Sequence, residues 1–175
     1  MTKLLLAVVL AAGLSTTPYA DMGDSEPELK VNLAAVVSTG EVVPVDGITS
    51  AGQPDEQALA VFANRGYTTV IDLRTESEDR GIDEPAAVKG LGMQYVSLPI
   101  GRDDITFESA QMLDTLIAKA DGPVLVHCGS GNRVGALLAL SKSMEGADDE
   151  AALEYGRKGG MTRLENRVKE VLTEK

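Results

Sequence analysis

One cysteine, one histidine, two phenylalanines and no tryptophan in 175 residues remove several explanations at once. Cys128, alone, cannot close an internal disulfide. One cysteine and one histidine cannot build a zinc site, and no convincing carboxylate cluster offers a metal an alternative, so no metal and no cofactor is expected. With so few aromatic rings, no aromatic slot for a ring-bearing substrate can be assigned. Basic residues are also scarce, 16 against 27 acids for a net charge of −11. Such a surface repels DNA, RNA and anionic lipid, which argues against those partners. Any anionic substrate must therefore be attracted locally. Long hydrophobic runs are missing too: the longest, Leu4 to Leu14, has 11 apolar or small residues, too short to span a bilayer comfortably.

What is present reads as one globular domain behind an address. Hydrophobic content of 43% with 25% charge is ordinary for a folded chain of this length. Lys3, the apolar run and the polar stretch Ser15 to Ala20 form a signal peptide over residues 1–20, with Ala20 the best last residue. No cysteine follows, which excludes a lipoprotein anchor, so no membrane anchor is expected after cleavage. The expectation is a secreted protein, periplasmic if the source is a Gram-negative bacterium. Residues 21–30 read as a flexible acidic leader and residues 31–175 as the domain. In an exported chain an unpaired thiol is a liability, so the neighbours of Cys128 must account for it.

From Val31 onward strands and helices alternate. Val42 to Val45 reads as a short first strand interrupted by Pro44. Pro54 to Asn64 reads as a helix, with Asp55 and Glu56 at its positive end and Ala58, Leu59 and Phe62 on one face. Strands follow at Thr68 to Leu73 and Met93 to Leu98, with a helical turn at Pro85 to Lys89 between them. Thr106 can cap a helix carrying Phe107, Ala110, Leu113, Leu116 and Ile117. Pro123 to Val126 is the most apolar strand, as at a sheet centre. Helices follow at Val134 to Met144, around Asp148 to Arg157, and through Leu164, Val168, Val171 and Leu172. The alternation predicts an α/β fold with a mostly parallel central sheet flanked by helices. Ligands in such sheets bind where a central strand enters a helix.

That place is occupied by Val126-His127-Cys128-Gly129-Ser130-Gly131-Asn132-Arg133-Val134-Gly135. Gly129 and Gly131 permit a loop whose N–H groups converge on one point, and the helix start adds partial positive charge there. Gly129, Ser130, Gly131 and Asn132 are thus candidates for anion binding, and Arg133 offers a planar fork for two oxygens. Cys128 is the candidate nucleophile at the bottom. Magnitudes rank these parts. An ordinary thiol is about 3% ionised at neutral pH, so complete ionisation gains only ~30-fold, or about 2 kcal/mol. Hydrolysis of a phosphate ester needs far more, so the donors around the oxyanion must supply most of it.

The segment from Gly52-Gln53-Pro54 through Gly135 resembles the bacterial phosphatase-like family related to dual-specificity and tyrosine phosphatases, also found fused to β-lactamase-like hydrolases. Gly52-Gln53-Pro54, Val70-Ile71-Asp72-Leu73-Arg74 with acids after it, Tyr95 to Ile100 and the loop after His127 carry the resemblance. It implies a cysteine-phosphatase-like fold and attack by Cys128 on phosphorus, through a phosphocysteine that water then hydrolyses. The substrate would be a phosphorylated small molecule or a phosphoprotein. Related phosphatases carry a proton donor after the strand corresponding to Met93–Leu98, which points to Asp103 or Asp104, with Asp104 preferred because it precedes Ile105 as the loop turns into a helix. Arg102 can assist an anionic substrate.

Two features separate this loop from the tyrosine phosphatases. Only four residues, Gly129 to Asn132, lie between Cys128 and Arg133, where those enzymes have five. Val134 also replaces the hydroxyl residue that usually follows the arginine. The shorter loop is similar in length to that of rhodanese sulfurtransferases, so a Cys128 persulfide remains an alternative, as does a non-catalytic anion- or phosphoprotein-binding module. His127 points away from Cys128 by strand alternation and is expected to play a structural part. Asp72 and Arg74 are expected to form buried pairs.

Overall fold

A computed structural model describes residues 28–174, so the expected signal peptide lies outside the described residues, as does the leader up to Pro27. The last part of that leader belongs to the fold. Leu29 is buried, its carbonyl accepts from Ser50 N at 2.7 Å, and Val31 N donates to Ser50 O at 3.0 Å.

Four strands form one sheet: β1 (Ile48–Ala51), β2 (Thr69–Asp72), β3 (Gln94–Ser97) and β4 (Val124–His127). Their order is β1-β4-β2-β3 and every pairing is parallel. The apolar run ending at Val126 therefore lies inside the sheet, and β4 directs its C-terminal end toward the Cys128 loop. Alternate side chains divide the core. Val70 and Leu125 join Ala58, Leu59 and Phe62 on one face, while Ile71, Val124 and Val126 join Leu113, Leu137 and Val168 on the other.

Seven helices among the described residues cover these faces: α1 (Leu33–Thr39), α2 (Glu56–Asn64), α3 (Glu84–Gly90), α4 (Phe107–Ala118), α5 (Asn132–Met144), α6 (Asp149–Lys158) and α7 (Glu165–Leu172). The side chains of Asp55, Asp83, Thr106 and Asp148 each accept a first-turn N–H at a helix start; Thr106 is the cap the sequence points to, whereas Asp55 lies just before α2 rather than inside it. Helix α5 is buried continuously from Val134 to Ser141, the pattern of a helix enclosed on all sides. Its closest neighbour is α6. A Cβ on Gly135 would lie 2.3 Å from both Gly156 O and Met161 N, so only glycine lets the backbones approach this far.

Two elements differ from expectation. Val42 to Val45 is no strand: only Val45 pairs, through an isolated bridge to Ile48 across a turn at Asp46 and Gly47, which have φ of 50° and 81°. The first strand is instead Ile48–Ala51, whose Thr49 and Ser50 disguise it and whose burial comes from pairing with β4. Helix α1 also has no counterpart in the sequence-based expectation. Its Val36-Val37-Ser38-Thr39 run favours strand by propensity, but Asn32 Oδ1 accepts from Ala34 N and Ala35 N, and Gly40 ends the helix with φ 68°.

Candidate active site

The loop from Cys128 to Gly131 leaves β4 and enters α5 without a side-chain cap. Gly131 holds φ 83°, a conformation that disfavours a side chain, and its N–H donates to Cys128 Sγ at 3.2 Å. Gly129 has no positive φ, so the backbone freedom expected of both glycines is used only at Gly131. Neither the Gly129 nor the Ser130 N–H donates to a backbone or side-chain acceptor among the described residues. The first-turn N–H groups of α5 are likewise without intrahelical partners. The Gly131 N–H thus meets Cys128, which is itself buried, 1% exposed, and unengaged N–H groups flank it in the same loop.

Gly52-Gln53-Pro54 braces this loop from β1. Gly52 bridges Ser130, and a Cβ on it would lie 3.4 Å from Gly129 O. Gln53 N reaches Gly129 O at 3.4 Å, while its side chain accepts from Arg74 Nη1 and donates to Glu84 Oε2 at 3.0 Å. The motif therefore ties the loop to the ends of β2 and α3.

Arg133 is turned toward Glu78, a residue the sequence did not single out. Nη1 donates to Glu78 Oε1 and Nη2 to Oε2, both at 2.6 Å, and Nη1 also reaches Ile100 O at 3.0 Å. Arg133 is held above its ordinary range chiefly by these bonds, with the nearby charge of Cys128 contributing. The Glu78 carboxyl is correspondingly pulled down to about 2, first by Arg133 and less by Thr75. At neutral pH Glu78 is an acceptor and no proton donor.

The other expected site residues fall in different places. Asn132 opens α5, but its side chain faces away from the loop: Oδ1 accepts from Thr162 N at 2.7 Å and Arg163 N at 3.0 Å. Ser130 is exposed. Asp103 and Asp104 are exposed, and Asp104 Oδ2 accepts from Gly101 N at 2.8 Å, closing a turn. Neither lines the open cleft of about 450 Å3 beside the loop, which is formed by Thr75, Glu78, Gly101, Arg102 and Asn132 together with Arg133, Arg163 and Leu164. Arg163 was not foreseen; its nearness comes from the Asn132 anchor, a contact across 31 positions in sequence.

Beneath the loop lies a buried charged group. Asp72 Oδ2 accepts from Arg80 Nε at 2.6 Å and from Tyr95 OH at 2.8 Å, and Oδ1 accepts from Arg74 N. Burial and Asp72 push the Tyr95 hydroxyl up to about 12. His127 Nε2 lies 2.7 Å from Glu84 Oε1 without meeting hydrogen-bond geometry, and 3.8 Å from Asp72 Oδ1. Asp72, Glu84 and His127 form the one group of metal-ligand type found among the described residues, their ligand atoms within 4.8 Å of one another. Both Asp72 oxygens already serve other donors and all three residues are fully buried, so the group reads as a packed ionic network.

A parallel sheet whose inner strand leads directly into a cysteine, followed by an arginine on the first turn of the next helix, is the arrangement of the cysteine-phosphatase fold. Solved structures share that fold: one from Neisseria meningitidis, described as a candidate phosphatase, superposes with a TM-score of 0.62 at 20% identity over 71% of this chain and 92% of its own. Pseudomonas aeruginosa TpbA, solved in complex with phosphotyrosine, gives a TM-score of 0.56 at 21% identity over 73% and 84%. The chain belongs to the family of the beta-lactamase hydrolase-like protein, phosphatase-like domain, whose family model matches residues 42–145. It is 39% identical over 100 residues to the beta-lactamase hydrolase-like protein of Xylella fastidiosa, covering 55% of this chain but 23% of that relative. It is also 30% identical over 167 residues to the dual specificity protein phosphatase TpbA of Pseudomonas aeruginosa, covering 90% of this chain and 72% of the relative. The chain thus spans about a quarter of the first relative's length and most of the second's.

Proposed function

We propose that the chain is a secreted, periplasmic cysteine-dependent phosphatase acting on a phosphomonoester through a phosphocysteine. One observation carries the reading most: Gly131 N–H on Cys128 Sγ, beside an arginine fixed in place by Glu78. With both terminal nitrogens of Arg133 bonded to Glu78, its Nε and the remaining Nη2 hydrogen are the donors available to oxygens on phosphorus. The loop N–H groups from Gly129 to Asn132 would take the other oxygens.

In the first step the Cys128 thiolate attacks phosphorus and the P–O bond to the leaving group breaks. A carboxylic acid delivers the proton that the leaving oxygen needs; of the two aspartates in the 101–104 turn, Asp104 is proposed and Asp103 is its alternate. Water then attacks the phosphocysteine, breaking the P–S bond and releasing phosphate and the thiolate. Donors aimed at the developing charge supply most of the rate, about 10²–10³ for each such donor removed in comparable sites.

The four-residue spacing before Arg133 keeps sulfur transfer as a second reading, because it matches the rhodanese loop. Purified protein assayed with an aryl phosphate, and separately with thiosulfate plus cyanide, distinguishes them. Phosphate release that disappears in Cys128→Ser supports the phosphatase, and thiocyanate formation without phosphate release replaces it. Tight tungstate binding with neither turnover leaves a binding module. Export is tested by the intact mass of the mature protein, which should begin at Asp21.

A further inference from the structure

The chain has eight arginines, and six of them meet an acid: Arg65, Arg74, Arg80, Arg133, Arg157 and Arg167. With 27 acids available, pairing is the common state of an arginine here. Among the described residues the two exceptions are Arg102 and Arg163, and both line the cleft beside Arg133. They approach it from separate parts of the chain. Arg102 sits within the turn that Asp104 closes on Gly101 N, and the Arg163 backbone is fastened to Asn132 Oδ1, inside the candidate loop itself.

From this we infer that the site is built for a phosphoester carrying a second anionic group, a phosphate or a carboxylate, which Arg102 and Arg163 bind while the loop holds the phosphoryl group undergoing transfer. The inference deepens the phosphatase reading and rests on it for the reaction, though not for anion binding. Among the described residues Glu78 is the only acid lining the cleft and is engaged by Arg133, so the two outer arginines supply uncompensated charge. A phosphoryl group met by the loop and Arg133 leaves that charge unused unless the substrate has another anion to offer. Arginine's fork favours a multi-oxygen group over a single hydroxyl.

Binding measured by calorimetry near 0.15 M salt tests this, with orthophosphate and tripolyphosphate as probes and Cys128→Ser as the non-reacting protein. Tripolyphosphate should bind at least about tenfold tighter than orthophosphate, the scale of two exposed charge contacts. Adding Arg102→Gln and Arg163→Gln should bring that ratio below about threefold. A control carrying Lys89→Gln and Lys119→Gln, exposed positions that do not line the cleft, removes the same charge and should keep the ratio. Circular dichroism melts check that each variant is folded. Equal affinities for the two probes overturn the inference, as does a ratio that survives loss of both arginines or falls equally in the lysine control. If the wild type releases no phosphate from any ester while the tripolyphosphate preference holds, the phosphatase reading falls and the second anion site stands.

Discussion

Glu78 grips Arg133 through two parallel hydrogen bonds of 2.6 Å, one from each terminal nitrogen. A bidentate pair fixes the plane of the guanidinium as well as its position. The carboxylate therefore decides which edge of Arg133 faces Cys128. The carbonyls of Ile100 at 3.0 Å and Leu73 at 3.4 Å hold Nη1 alone.

Glu78→Gln should consequently reduce kcat/KM for an aryl phosphate by roughly 10- to 100-fold, the cost of a small misplacement of a positioned group. Steady-state kinetics check it. Unchanged kinetics would remove Glu78 from the site's working parts.

The same pair makes a prediction for stability against pH. The Glu78 carboxyl is held at about 2, against an ordinary 4.5, mainly by Arg133. A depressed pKa in the folded state means that the unfolded chain takes up the proton first as pH falls. The contribution is complete above about 4.5 and is lost toward 2. Urea unfolding of wild type and Glu78→Gln should differ by about 1–3 kcal/mol at pH 6, narrowing as pH falls through that window. A difference that stays constant down to pH 2 contradicts the pairing.

Asp103 and Asp104 can be separated by their kinetics. If Asp104 donates the proton, Asp104→Asn should lower kcat by about 10²–10⁴, while Asp103→Asn should leave it largely intact. Because Asp104 also closes the turn on Gly101, a leaving group of low pKa should rescue activity if the lost role is chemical. Failure of that rescue assigns Asp104 to the turn alone.

Gly135→Ala should be the most damaging single methyl in the protein. The added carbon would sit 2.3 Å from two backbone atoms of the segment that ends α6, where neither can rotate away. Overpacking of this kind costs about 1–3 kcal/mol or more. A melting temperature within a degree of wild type would contradict the tight α5–α6 approach.

Asn132→Ala should loosen the segment that carries Arg163. Losing Oδ1 leaves the N–H groups of Thr162 and Arg163 without that acceptor, and their hydrogen exchange should accelerate. Protection unchanged at both amides would show that the anchor is dispensable.

The sequence made some of this legible for identifiable reasons. β4 showed itself by an unbroken apolar run, α2 by acids in its first turn and helical spacing, and α4 by Thr106 at the cap followed by helical spacing. Cys128, Gly131 and Arg133 were visible because strand, loop and helix follow one another directly. β1 was hidden because Thr49 and Ser50 are polar by type and buried by pairing. Glu78 and Arg163 were hidden for a different reason: each reaches the cleft across a gap in sequence, 55 positions from Glu78 to Arg133 and 31 from Asn132 to Arg163. No local pattern encodes such a contact. His127 was expected to be structural and apart from Cys128, and its imidazole does lie with Asp72 and Glu84, although the network it joins could not be read from spacing.

A phosphocysteine mechanism requires a covalent phosphoryl group on Cys128. Rapid quenching of the wild-type enzyme in denaturant with a radiolabelled phosphomonoester, followed by peptide mapping, detects it. Label should approach one per chain, confined to the peptide containing Cys128 and absent from Cys128→Ser. Continued turnover without label, or label retained in Cys128→Ser, would contradict it.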